Sequence, residues 1–269
     1  MHSHSRNPIS RDRAAAAGEP EGKERPEALR SRVEALTAEL EQLNREFESL
    51  SYSVSHDLRA PLRAIDGFAR ILEEDYGDRL DSEGRRVISV IRESSVKLGR
   101  LIEDLLAFSR LARKPLSPGA IDMSRMAREA FEEVSSGATR APRLVLGPLP
   151  PAHADAPLMR QVWTHLLANA VKFSAPREEA VIQVDGRDDG TQRMYSVRDN
   201  GVGFDMRYHD RLFAVFQKLH PEDQFPGSGM GLAVVQRILA RHGGRAWAEG
   251  APGGGATFHF SLPHGESHA

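Results

Sequence analysis

Residues 1–26 are rich in Arg, Ala, Pro, Gly and Glu and lack large apolar side chains. Such a stretch cannot bury enough surface to offset the entropy of ordering, so a disordered tail is expected. The pattern changes at Leu29. From there Leu29, Val33, Leu36, Leu40, Leu43, Phe47, Leu50 and Val54 advance in steps of four and three, with Glu, Arg and Gln between them. This is a heptad seam, which a lone helix cannot bury, and a parallel coiled-coil dimer is the direct prediction. The alternative is an amphipathic helix laid against its own domain.

The helix is predicted to run on through SYSVSHDLRAPLRAIDGFARILEEDYG. Pro61 removes one backbone donor there, so a kink is expected. GDRLDSEG reads as a turn. A second apolar-periodic stretch follows, with Ile88, Ile91, Leu98, Leu101, Ile102, Leu105 and Phe108, and it stops near KPLSPG. Two long helices joined by a short turn form a hairpin, and two hairpins form a four-helix bundle.

Beyond Pro118 the texture is mixed. IDMSRMAREAFEEV is a helix signal with Asp122 or Ser124 as its cap, and RLVLGPLPPAHAD is a strand followed by a proline-rich turn. PLMRQVWTHLLANAVKFS is an apolar-periodic helix. AVIQVDGRDDGTQRMYSVRDNG reads as two strands around an Asp-Gly turn. GLAVVQRILARHGG is a helix closed by glycine, and RAWAEGAPGGGATFHFSLP is two strands around a glycine-rich turn. No internal repeat is visible. The expected fold is α+β: a coiled-coil helical hairpin over residues 27–115, then an α/β sandwich with mixed strands over 119–264, with tails at 1–26 and 265–269.

Composition narrows the function. The 269 residues fit about two domains. The 36 Lys+Arg against 38 Asp+Glu leave a net charge of -2, which offers no footprint for nucleic acid or an anionic membrane. The absence of Cys excludes disulfides, thiolate nucleophiles, Cys-based zinc sites and iron–sulfur clusters. No apolar run approaches the ~20 residues that span a bilayer, and the N-terminus has no signal-peptide core. A cytoplasmic protein is expected.

Candidate chemistry sits in separate stretches. In VRDNGVGF, Asp199 ends an apolar strand, and Gly201 and Gly203 let a planar ligand approach the backbone. A carboxylate there can accept from an exocyclic amine; the bland alternative is a simple turn. In FPGSGMGLAVV, Gly227, Gly229 and Gly231 open into a helix whose N-terminus offers N–H groups to phosphates. It is neither a Walker loop nor a dinucleotide fingerprint, and the bland alternative is a flexible connection. In THLLANAVKFS, His165, Asn169 and Lys172 share one helical face. Asn can offer an oxygen to Mg²⁺ and Lys a charge to a phosphate, although such faces are usually only solvated. In SHDLRAPL, His56 lies two residues off the Val54 seam position and should face outward. A neutral imidazole has a free lone pair, and Asp57 could orient it or accept its proton. Sequential neighbours do not share a helix face, so that contact is not assured.

The order of these stretches is more specific than any one of them. SHDLRAPL, HLLANAVKFS, DNGVGF, LFAVFQKLH, GSGMGLAVV and GGGATFHFSLP follow one another from Ser55 to Pro263, and the resemblance they carry covers roughly Leu29 to Pro263. The chain resembles the transmitter module of the sensor histidine kinases of two-component signalling. The resemblance implies that His56 is phosphorylated from ATP with Asp57 as acidic helper, and that Asn169 ligates Mg²⁺ with Lys172 toward the phosphates. Asp199 would hold the adenine amine, with Gly201 and Gly203 lining that pocket. Phe213 and Phe216 would lie at the base of a lid whose basic residue is Lys218. Gly227, Gly229, Gly231 and Leu232 would surround the phosphates, and Gly253, Gly255 and Thr257 would lie near the adenine. It implies the ATP-binding sandwich shared with gyrase and mismatch-repair ATPases, a homodimer, transfer to an aspartate on a separate response regulator, and a hinge at Leu116 to Ala120.

The sequence departs from the family pattern at three positions. His165 replaces the first asparagine of its box, Lys218 stands where arginine is common, and Ala60, four residues after His56, stands where kinases that also dephosphorylate their regulator carry Thr or Asn to orient a water. Weak phosphatase activity is therefore expected. A non-kinase ATPase would need a carboxylate at position 165. A degenerate kinase serving as a dimeric scaffold is favoured by His165 and opposed by the intact Asp199, Asn169 and glycine boxes. Because only a short tail precedes the coil, the input is expected to arrive through a partner protein or another chain.

Overall fold

The computed structural model describes residues 24–111, 115–138, 140–221 and 223–264. Of the expected N-terminal tail, residues 1–23 lie outside the described residues and 24–26 open the first helix; the tail expected at 265–269 also lies outside them. Helix α1 spans Glu24–Tyr76 and α2 spans Ser82–Arg110, joined by a short 3-10 turn at Gly77–Arg79. Pro61 stands inside α1, which continues through it. The Asp81 carboxylate caps α2 by accepting from the Gly84 N–H at 2.7 Å.

The chain divides into two units between Glu46 and Phe47. In the first, the seam residues Leu29, Val33, Leu36 and Leu43 are exposed, and the Thr37 hydroxyl donates back to the Val33 carbonyl at 2.8 Å. In the second, Ala69 of α1 and Ile88, Ile102 and Leu106 of α2 are buried, and Arg92 of α2 pairs with Asp66 and Glu73 of α1. A long apolar row on the hairpin stays uncovered: Leu58, Ile65, Phe68 and Leu72 on α1, and Val87, Val90 and Ile91 on α2, with Phe68 as much as 68% exposed. Among the described residues no helix is long and apolar enough to cross a membrane.

The rest of the second unit is a layer of helices on a sheet. Strands β2 (Arg143–Leu146), β4 (Val181–Asp188), β5 (Gln192–Asp199), β6 (Arg245–Ala251) and β7 (Gly255–Pro263) take the order β2-β4-β5-β7-β6. The β2–β4 pair is parallel and the others antiparallel. Strand alternation sends Ile182 and Val184, Tyr195 and Val197, and Phe258 and Phe260 to the inner face. Helices α3 (Met123–Ser135), α4 (Ala156–Ser174) and α5 (Gly231–Arg241) cover that face. Asp122, one of the two residues read as caps, caps α3 by accepting from the Arg125 N–H at 2.9 Å. In α4 the helical repeat buries Leu158, Met159, Val162, Trp163, Leu166 and Leu167. Trp163 meets Phe260 and Tyr195 edge-on, with centroids 5.2 and 6.0 Å away. Truncation of such a residue to Ala costs about 3–5 kcal/mol.

Two short strands escaped the sequence reading: β1 (Pro118–Ile121) pairs antiparallel with β3 (Ala152–Asp155). Pro118 and Gly119 read as terminators, and AHAD lacks the branched residues that signal a strand. Pro118 to Ala120, within the hinge expected at Leu116 to Ala120, lie in this paired strand. Asp155 caps α4 through the Leu158 N–H at 3.1 Å, and its other oxygen accepts from the Ser117 N–H at 3.0 Å. The segment from Ser117 onward is therefore bonded to the start of α4. The end of α2 is held as well. Phe108 is buried in the core cluster beneath the Arg237 guanidinium, 4.8 Å from its ring centroid, and Arg241 donates to the Leu111 carbonyl at 2.6 Å.

Candidate functional site

A cavity of about 380 Å³ opens between α4, α5, the loop after β5 and the end of α2. At its base lies Asp199, the last residue of β5, with its inward alternation from Val197. Asp199 is 2% exposed. Its Oδ1 accepts from the Gly201 N–H at 2.8 Å, while Oδ2 is buried without a hydrogen-bond partner. Burial pushes its pKa up to about 6, and the amides of Gly201 and Ala256 partly oppose this. A buried acceptor oxygen without a donor costs free energy, and the site is shaped to receive an N–H from a ligand. Gly203, beside it at φ 64°, permits a close approach: a Cβ there would overlap the Ala251 carbonyl oxygen.

The other end of the cavity is cationic. Asn169 and Lys172 of α4, Lys218, and Gly227, Gly229, Gly231 and Leu232 at the entry to α5 all line it. Gly229 has φ 76°, and a Cβ there would lie 2.8 Å from the Gln217 carbonyl oxygen. The Lys172 ammonium lies 4.3 Å from the Phe173 ring centroid. Its pKa is lowered, first by burial and then by the like charge of Lys218. Two ammonium groups facing one cavity, with a helix N-terminus between glycines, suit a polyanion. His165 lines the same space, its Nδ1 3.1 Å from where a Gly231 Cβ would lie. Burial lowers the His165 pKa, and the carboxylate of Asp104, from α2, pulls it back up.

His56 and Asp57 lie apart from this cavity, on the solvent face of α1. The imidazole Nδ1 is 3.1 Å from Asp57 Oδ1, and the two side chains are 71% and 74% exposed. The contact that sequence spacing left open is therefore made. A carboxylate can only accept, so this hydrogen bond requires the proton on Nδ1 and leaves Nε2 with its lone pair.

The structure brings most of the sequence-derived residues to one cavity, with exceptions. Gly201 stands behind Asp199 as its amide donor rather than in the lining. Thr257 is corrected: on β7 it pairs with Arg198 on the outer face, and Ala256, opposite Asp199, faces the cavity instead. The alternation with inward Phe258 and Phe260 carries that signal, and the run of small residues before Thr257 obscures it. Gly253 and Gly255 shape the β6–β7 turn, both at positive φ. Phe213 packs against the core, whereas Phe216 is exposed at φ 60°. Sequence reasoning missed Asp104 and Ala107 of α2, and Leu111 just beyond it, in the lining, since nothing in a helical pattern announces which distant domain its end will meet.

Comparison with known proteins agrees with this geometry. The family model described as His Kinase A (phospho-acceptor) domain matches residues 48–114, around His56. The one described as Histidine kinase-, DNA gyrase B-, and HSP90-like ATPase matches residues 154–266, around the cavity. The chain belongs to the sensor histidine kinases. Among curated histidine kinases, the Methanogenesis regulatory histidine kinase FilI of Methanothrix harundinacea is 35% identical over 216 residues, 79% of this chain and 24% of that one. Signal transduction histidine-protein kinase AtoS of Escherichia coli is 30% identical over 218 residues, 80% of this chain and 34% of that one. Cyanobacterial phytochrome A of Nostoc sp. is 33% identical over 216 residues, 80% of this chain and 28% of that one. This histidine kinase chain thus spans about a third or less of the length of these relatives. Among solved structures, full-length ShkA in complex with AMPPNP matches with a TM-score of 0.57 and 31% identity, over 80% of this chain and 45% of that one.

Proposed function

We propose that this chain is an ATP-dependent protein histidine kinase that phosphorylates its own His56 and passes the phosphoryl group to an aspartate of a separate response regulator. The observation that carries this reading is the buried, unpartnered Oδ2 of Asp199 in a cavity whose far end holds Lys172 and Lys218. That arrangement fits an adenine amine at one end and a triphosphate at the other. The ShkA structure with AMPPNP supports the same choice of ligand.

In the reaction, His56 Nε2 attacks the γ-phosphorus in line with the bridging oxygen. The N–P bond forms as the bond to ADP breaks, and the Nδ1 proton passes to Asp57. Lys172, Lys218 and the α5 N-terminus hold the charge of the phosphates, so positioning and electrostatics dominate. Among the described residues no three His, Asp or Glu side chains gather to hold a metal ion. A single protein oxygen with phosphates and water suits Mg²⁺, and Asn169, which lines the cavity, would give that oxygen. When bound, Mg²⁺ would neutralise the β- and γ-phosphate charge.

The exposed seam of α1 and the exposed apolar row on the hairpin support a homodimer, in which a second copy buries both. Input through a separate protein acting on the seam belongs to the same proposal. A radiolabelled ATP assay tests the reading: acid-labile, base-stable label on the protein is expected. His56→Gln should retain ATP binding and lose all label; labelling equal to wild type would sink the assignment. His165 favours one other reading, a degenerate scaffold of the same fold, for which the assay returns ATP binding without label or released phosphate.

A further inference from the structure

Arg177 belongs to none of the recognised sequence stretches. It lies just beyond α4, and its guanidinium bridges two loops that meet around the base of the cavity. Nε donates to the Asn200 carbonyl at 2.8 Å, and Nη2 donates to the carbonyls of Gly201 at 2.9 Å and Gly253 at 2.6 Å. The first two carbonyls belong to the loop after β5 and the third to the β6–β7 turn.

Both loops bear on Asp199. The Gly201 N–H holds Asp199 Oδ1, and the Gly253 N–H donates to the Val202 carbonyl at 2.7 Å. Gly203 follows directly and lines the cavity. The Asn200 side chain fixes the same loop from the other side, accepting from the Val181 N–H at 2.9 Å and donating to the Glu179 carbonyl at 2.7 Å. Arg177 thus joins the exit of α4 to both loops, and its side chain ties the two to each other beside the backbone bond from Gly253 to Val202. A planar fork with several donors reaches three carbonyls at once, whereas an ammonium on a flexible stem has no such fixed geometry.

We propose that Arg177 is a positioning residue for the nucleobase: by fixing the Asn200–Gly203 loop and the β6–β7 turn it aims Asp199, and so sets the preference for an adenine over a base without the 6-amino group. This rests on the ATP-binding reading above.

The test measures binding of MgATP and of MgITP, whose base carries a carbonyl in place of that amine, to the full chain by calorimetry, with autophosphorylation kinetics alongside. Wild type should prefer ATP. Arg177→Ala should lose ATP affinity ~10- to 100-fold, with the ATP-to-ITP ratio falling toward one. KM for ATP should rise while kcat at saturation stays within about twofold, because the phosphate end is untouched. Arg177→Lys, which keeps the charge and stem, should behave like the alanine variant and provides the same comparison if R177A fails to fold. Unchanged ATP affinity, equal losses for ATP and ITP with the preference kept, or full rescue by R177K would each overturn the proposal. Wild type binding neither nucleotide overturns the kinase reading instead, and this inference with it.

Discussion

His56 Nδ1 and Asp57 Oδ1 lie 3.1 Å apart on the solvent face of α1, although sequential residues of a helix point in different directions. The hydrogen bond fixes the tautomer that leaves Nε2 with the lone pair the proposed reaction needs, and places a proton acceptor at the other ring nitrogen. Asp57→Asn keeps the shape and removes the acceptor. It should slow autophosphorylation by roughly 10- to 100-fold with ATP affinity unchanged. A parallel fall in affinity would mean that Asp57 acts elsewhere.

At Asp199 the proposed nucleotide binding is set against stability. Its pKa in the fold, about 6, lies above the ordinary 3.8. The native state therefore binds the extra proton between these values, and stability is lost as pH rises through 6. A shift of that size corresponds to about 3 kcal/mol in the nucleotide-free chain at neutral pH. Asp199→Asn should raise the melting temperature at pH 7.5 by a few degrees, flatten the dependence on pH between 4 and 7, and abolish ATP binding. Wild-type ATP affinity should fall as pH drops below 6. A variant that melts lower than wild type at pH 7.5 contradicts this account.

Lys172 makes a prediction at the other end of the pH scale. Burial and the Lys218 charge lower its pKa below the ordinary 10.5, and a bound triphosphate opposes both effects. Nucleotide affinity should fall as pH rises through the lowered value, and binding there should take up a proton. Removing the like charge with Lys218→Ala should weaken binding near pH 7 yet move the alkaline fall to higher pH. Titration calorimetry in buffers of differing ionisation enthalpy reads both the affinity and the proton uptake. An alkaline fall unmoved by the substitution would disconnect the two lysines.

Much of this arrangement was legible before the structure. The steps of four and three along α1, the Asp122 cap, the Asp-Gly turn between β4 and β5 and the glycines opening α5 are local signals, and each is read from a few neighbouring residues. What was not legible is long-range. The β1–β3 pair joins residues far apart in sequence through strands of weak propensity. The contribution of Asp104 to the cavity depends on how α2 meets the sandwich, and the three carbonyls bound by Arg177 carry no side-chain signature. Thr257 was misplaced by one residue because a period of two turns a single-step error into the opposite sheet face.

Ala60 lies four residues after His56 on α1, so the two share one exposed helix face. A water that attacks an aspartyl phosphate docked over His56 would need an orienting group at this position, and a methyl group offers neither donor nor acceptor. The wild-type chain should therefore remove phosphate slowly from its phosphorylated regulator in the presence of ADP. Ala60→Thr adds a hydroxyl on an exposed face, where the cost to the helix is only a few tenths of a kcal/mol. It should raise dephosphorylation severalfold while leaving ATP affinity and His56 labelling within about twofold of wild type, since neither the cavity nor the His56–Asp57 pair is altered. Loss of label from the regulator over time reads the rate directly. Rapid loss with wild-type protein would show that Ala60 is no barrier, and an A60T variant no faster than wild type would place the missing group elsewhere on α1.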